Sequence, residues 1–166
     1  MNDRPALTDQ GLPERYFLKE EWELTPRNVK AMLDAGEDFV LIDCRMEQEY
    51  QLVHIAGSTL HILQKIGDDL PDLVDDYADK KVVCYCHHGA RSMQMTAILR
   101  DAGVPDTWSM AGGIDLRLVV QFQIVVDQRA AHVAQQAKAP AFLLQNLRVE
   151  QGDIVPPEAL GLIHRH

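Results

Sequence analysis

The run Lys81–Gly103, KVVCYCHHGARSMQMTAILRDAG, places a thiol where chemistry is easiest to build. An apolar stretch stops at Cys86. His87, His88, Gly89, Ala90, Arg91 and Ser92 follow at once, and then a helical pattern begins. In a parallel α/β sheet, ligands bind outside the carboxyl ends of strands, where helices start. Gly89 permits a positive φ inside the loop, so successive N–H groups can turn inward as an anion nest. The helix that follows adds the positive end of its dipole, and Arg91 adds a full charge. A thiol in such surroundings loses its proton more readily, because its anion is stabilised. The junction therefore reads as a cradle for a sulfur anion or a small oxyanion. His87 and His88 can shift a proton, hold an oxyanion, or simply lend backbone N–H groups to the loop.

The elements that must hold this loop are legible on both sides. LTPRNVKAMLDAG reads as a helix with Thr25 as N-cap, Pro26 at the first helical position and Gly36 as the stop. DFVLIDC (38–44) and KVVCYC (81–86) are apolar runs without polar alternation, the mark of strands covered on both faces. MEQEYQLV reads as a short helix, IAGSTLHI as a turn at Gly57 and a short strand, and LPDLVDDYADK as a helix with Pro71 near its start. RSMQMTAILRDAG is a helix ending at Gly103, PDTWSM a strand, and AGG a turn. Strands alternate with helices, so the expected fold class is α/β: a central parallel sheet of about five strands, flanked by helices on both faces. Residues 1–23 read as an irregular extension. Residues 118–166 read as a second one, helical to about Lys138 and flexible at its end, QGDIVPPEALGLIHRH.

Bulk composition narrows the class. The 166 residues are 46% hydrophobic, enough for one core. The apolar stretch LRLVVQFQIVV is broken by glutamines and is too short to span a membrane. The opening MNDRPALTDQ carries no apolar signal core, which makes the cytoplasm the expected location. The net charge of −9 speaks against a nucleic-acid partner. The charge is uneven: residues 1–80 hold 18 acids and 8 bases, and residues 81–166 hold 7 acids and 8 bases. A small anion meets less repulsion in the second half. Cys44, Cys84 and Cys86 make an odd count, which suits free thiols better than a disulfide framework.

The loop resembles the active loop of the rhodanese domain, Cys-x-x-Gly-x-Arg-Ser. LIDCRMEQEYQLVHIAGS is similar to the family's strand-and-turn segment through Asp43, Arg45, Glu49, Tyr50, His54, Ile55 and Gly57, and MAGGID (110–115) resembles its closing Gly-Gly turn. These motifs lie in register over residues 24–117. The resemblance implies a rhodanese-like fold and a sulfurtransferase that carries sulfane sulfur as a persulfide on Cys86. It needs no cofactor beyond that covalent intermediate and no metal. The implied partners are a small anionic donor such as thiosulfate, a thiol or cyanide acceptor, and a sulfur-carrier protein. Asp43, Arg45 and Glu49 are expected to give structural support, with Asp43 or Glu49 as the partner of Arg45. Val53 replaces the glycine that often precedes His-Ile, and Arg117 replaces an aromatic after the Gly-Gly turn.

Three rival readings follow from the same residues. Cys-dependent phosphatases and arsenate reductases need a loop wide enough for a tetrahedral oxyanion. Here only His87, His88, Gly89 and Ala90 separate Cys86 from Arg91, a ring better sized for sulfur. CYCHH, with Cys44, Met93 and Met95, offers soft ligands for a metal-handling module. A non-catalytic binding module on the same fold is the third.

Overall fold

The computed structural model describes residues 7–116, 122 and 124–126. Five short strands form one parallel sheet: β1 (Glu23–Leu24), β2 (Val40–Asp43), β4 (Thr59–Leu60), β5 (Val82–Tyr85) and β6 (Thr107–Met110). Their order is β1-β6-β5-β2-β4, and every pairing is parallel. This is the expected α/β architecture. The central strands β2 and β5 are buried on both faces, as their apolar runs require. Leu41, Val83 and Tyr85 enter one core with Val29 and Met32 of helix α1 (Pro26–Asp34). Ile42, Cys44, Val82, Cys84 and Cys86 enter the other. There they meet Leu73 of α3 (Ile66–Tyr77) and Met95 and Leu99 of α4 (Ala90–Ala102).

Helix α1 begins as its sequence dictates. Thr25 Oγ1 accepts the Asn28 N–H at 3.2 Å, and Pro26 occupies the first turn. Helix α3 starts earlier than its proline suggests. A 3-10 turn (Leu63–Lys65) runs straight into Ile66, so Pro71 lies inside the helix. An interior proline loses one backbone bond and costs about 3 kcal/mol. Burial of Leu63, Ile66 and Leu73 against the sheet offsets it.

The segment after β2 is held by buried polar contacts. Arg45 donates from Nε to Asp43 Oδ1 at 2.9 Å and from Nη2 to Asp43 Oδ2 at 2.6 Å. The same Nη2 donates to the Val53 carbonyl at 2.6 Å. Asp43 is fully buried and Arg45 nearly so. Of the two partners expected for Arg45, the fold selects Asp43. Removing one member of a buried pair strands the other charge, at about 3–5 kcal/mol. Arg45→Ala is therefore expected to lower the urea midpoint by that equivalent. A change under about 1 kcal/mol would show that water reaches Asp43 readily.

Strand β3 (Val53–Ile55) pairs antiparallel with β7 (Ile124–Val126). The expectation of a helix across 118–138 is corrected at Ile124–Val126, which is a strand; the remainder of that range, Phe122 apart, lies outside the described residues. Ile124, Val125 and Val126 form a β-branched run beside an open strand edge, and pairing there satisfies both backbones. Phe122 is buried in the α1-side core, so this residue docks on its own domain. The expected flexible end at 151–166 lies outside the described residues. No helix among the described residues is long and apolar enough to cross a membrane.

Candidate active site

Cys86 is the first residue past β5, and Gly89, at φ 102°, turns the chain into α4. The loop curls around the sulfur. The Gly89 N–H donates to Cys86 Sγ at 3.1 Å, and Ser92 Oγ lies 3.6 Å from it. The same hydroxyl donates to the Gly89 carbonyl at 3.0 Å and sits 2.8 Å from Ser109 Oγ on β6. Ser92 thus ties loop, helix and neighbouring strand together. Ala90 is the exposed first residue of α4.

The thiol is strongly acidified. The largest cause is a hydrogen bond from the Cys44 thiol, which overcomes the opposing effect of burial. The backbone and hydroxyl of Ser92 and the Gly89 amide add to it, and the Cys86 pKa falls to about 4. At neutral pH Cys86 is a thiolate. The reciprocal effect falls on Cys44, whose pKa rises because its proton is shared with that anion, and because it is buried.

Arg91 is placed differently from its sequence reading. Its guanidinium forms a fork with Glu49, Nη1 to Oε2 at 2.8 Å and Nη2 to Oε1 at 2.9 Å. Glu49, in α2 (Glu47–Leu52), also accepts the Met46 N–H at 3.0 Å. Burial acts against the Glu49 carboxylate, but the bonds from Arg91 and Met46 hold its pKa below the usual range. Arg91 therefore fastens α4 to α2 and acts on the sulfur only through space. Glu49 belongs with Arg91 rather than with Arg45. The rest of the motif around it is a structural turn. Tyr50 stacks on His54 at 3.8 Å and donates to the Ser58 carbonyl at 2.8 Å.

His87 and His88 both face Asp115, each with Nε2 at 3.5 Å from a carboxylate oxygen. Their ligand atoms lie within 4.8 Å of one another, so this trio is the group that could hold a divalent metal among the described residues. It shares His87 and His88 with the CYCHH set that the sequence suggests, but its third member is the Asp115 carboxylate rather than a soft ligand such as Cys44, Met93 or Met95.

Two further supports were not singled out from the sequence. The Ile114 N–H donates to the Cys86 carbonyl at 2.8 Å, and the Asp115 N–H donates to the His87 carbonyl at 3.1 Å. With their carbonyls held outward by this Gly-Gly turn, the loop amides are left facing the sulfur. Tyr16 donates to Glu23 at 2.7 Å, and its hydroxyl lies 3.8 Å from a β-carbon built on Gly89. The segment read as an irregular extension thus reaches the mouth of the loop. Its only sequence signal is a cluster of aromatics in RYFLKEEW, which fits many roles.

The family model "Rhodanese-like domain" matches residues 25–116, more than half of the chain. A probable adenylyltransferase/sulfurtransferase of Mycobacterium tuberculosis, MoeZ, is 37% identical over 93 residues, covering 55% of this chain and 23% of its own length. A tRNA uridine(34) hydroxylase of Cronobacter sakazakii is 34% identical over 94 residues, covering 55% of this chain and 27% of its own. The match thus spans about a quarter of each of these relatives. Among solved structures, the thiosulfate sulfurtransferase of Pseudomonas aeruginosa has a TM-score of 0.56 at 23% identity, covering 71% of this chain and 24% of that one. A rhodanese-like domain from Anabaena has a TM-score of 0.56 at 18% identity, covering 64% and 79%. With a parallel five-stranded sheet, a sulfur-cradling loop and a family match across both, the chain belongs to the rhodanese-like domain family.

Proposed function

We propose that the protein is a sulfurtransferase that moves sulfane sulfur from a small anionic donor to a thiol or cyanide acceptor. The observation that carries this reading is the Cys86 sulfur, held as a thiolate under the Gly89 N–H at 3.1 Å. With thiosulfate as donor, the thiolate attacks the outer sulfur. The S–S bond of thiosulfate breaks, sulfite leaves with the electron pair, and Cys86 becomes a persulfide anion. An acceptor thiolate or cyanide then attacks the outer sulfur and returns Cys86 as thiolate, a ping-pong sequence. Loop amides aimed at the anion stabilise each charged state without reorganising. The persulfide is itself the carrier, so the reading requires no metal or dissociable cofactor.

The geometry favours sulfur over phosphate. Arg91, the one cation of the loop, is bound by Glu49 in a fork and is not turned to receive an oxyanion. The names of the sulfurtransferase relatives support the same chemistry, and a sulfur-carrier protein suits the acceptor side. The test is mass spectrometry of the chain after thiosulfate or a low-molecular-weight persulfide. A gain of one sulfur on Cys86, lost again on adding cyanide, is the expected result. An unmodified Cys86 with both donors would overturn the reading.

A further inference from the structure

Acidifying Cys86 is not all that the position of Cys44 allows. The β2–β5 ladder runs Val40↔Val82, Leu41↔Val83, Ile42↔Cys84, Asp43↔Tyr85. The next step sets Cys44 beside Cys86, and the bond from Cys44 N–H to the Tyr85 carbonyl at 3.0 Å keeps that register past the strand ends. Side-chain direction agrees, since Ile42, Cys44, Cys84 and Cys86 all enter the same core. Adjacent strands lie ~4.8 Å apart, inside the ~4.4–6.8 Å window of Cα separations for a disulfide. Cys84, two residues along the same strand, stands ~6.6 Å from Cys86, at the upper edge of that window. The Cys44 sulfur also lies 3.2 Å from the Tyr85 carbonyl oxygen, so it sits at the back of the catalytic loop. All three cysteines are free thiols in this state.

We propose that Cys44 is the resolving thiol of Cys86: once a hydroperoxide has oxidised Cys86, Cys44 closes a disulfide to it and shuts the site reversibly. In the first step the Cys86 thiolate attacks a peroxide oxygen. The O–O bond breaks, alkoxide or hydroxide leaves, and Cys86 becomes a sulfenic acid, two electrons more oxidised. In the second step the Cys44 sulfur attacks Cys86 Sγ. The S–O bond breaks, the hydroxyl leaves as water with the Cys44 proton, and an S–S bond forms. The charge arrangement times the response. While Cys86 is an anion it holds the proton on Cys44, which keeps the second thiol inert. Oxidation removes that anion and with it the largest of the effects that hold the proton on Cys44. Both sulfurs are buried, so the bond forms within the chain rather than between chains.

This inference goes beyond sulfur transfer and needs only a reactive Cys86. Its test reads mass, so a chain that never carried sulfane sulfur would still form the bond. Purified protein is treated with a small excess of hydrogen peroxide, then denatured, alkylated and mapped. The wild type is expected to lose two hydrogens, yield a Cys44–Cys86 linked peptide, and recover both thiols with dithiothreitol. Cys44→Ser and Cys44→Ala are expected instead to gain two oxygens on Cys86 as sulfinate, which dithiothreitol does not remove. Two replacements guard against one that fails to fold. The proposal is overturned if wild type forms sulfinate with Cys44 still open to alkylation, or if Cys86 links to Cys84 or to a second chain.

Discussion

Cys86→Ser is expected to lose thiosulfate–cyanide sulfur transfer by a factor on the order of 10^5 to 10^6, the scale on which a covalent nucleophile is lost. The hydroxyl nearly preserves shape, so the fold should be kept, with some loss of the stability that the anion contributes. What disappears is the atom that bonds to sulfane sulfur. The same substitution has a second readout. In the wild type, the thiolate absorbance should stay constant from neutral pH downward and vanish only as pH approaches the Cys86 value of about 4. The sign is that of a depressed pKa. The anion and its loop bonds stabilise the fold fully above the ordinary thiol range, and this stabilisation is lost as pH falls through the folded value. Cys86→Ser should show no such step, because burial keeps the remaining thiols, Cys44 and Cys84, protonated. Robust turnover by Cys86→Ser would eliminate the persulfide mechanism. A thiolate step that survives in it would assign the acid thiol to another cysteine.

How much of this site the sequence discloses depends on whether a contact is local. The Cys86 junction is local: a buried apolar run, a glycine able to turn the chain and a capped helix stand in one stretch, and the structure assembles them as read. Helix α1 is legible for the same reason, through Thr25 and Pro26. Arg91 is not. Its position in the loop suggests a side chain turned to the anion, whereas its partner is Glu49, 42 residues earlier, and that pairing depends on how α2 meets α4. Cys44 is similar. Two strands ending in cysteine are visible in LIDC and KVVCYC, but the register that sets the two side by side belongs to the sheet. The start of α3 is hidden by Pro71, whose local penalty is overruled by core burial. The strand at Ile124–Val126 is hidden because three β-branched residues within a longer apolar run fit a helix equally well until an open edge is present.

Gly113→Ala tests whether the second turn, not only the catalytic loop, sets the chemistry. Gly113 has φ +64°, and a β-carbon there would stand 2.5 Å from the His87 carbonyl oxygen and closer still to that of Cys86. Both obstacles are backbone, so neither can rotate away. They are also the carbonyls that accept the Ile114 and Asp115 N–H groups. An added methyl must push the Cys86–His87 segment outward or break those two bonds, and either response turns the loop amides away from the sulfur. A misplacement of about 1 Å in reacting groups costs roughly 10²-fold. Sulfur transfer by Gly113→Ala should fall by about that factor or more. The conformational part of the effect has its own control. Gly36 has nearly the same φ, +65°, but nothing lies within 4 Å of its built β-carbon. Gly36→Ala should therefore lose only about 1–2 kcal/mol of stability, the cost of a left-handed alanine, and keep full turnover. If both variants retained wild-type rates, the loop would hold its anion geometry without the Gly-Gly turn. If both lost them equally, strain alone would account for the effect and the steric argument at Gly113 would fail.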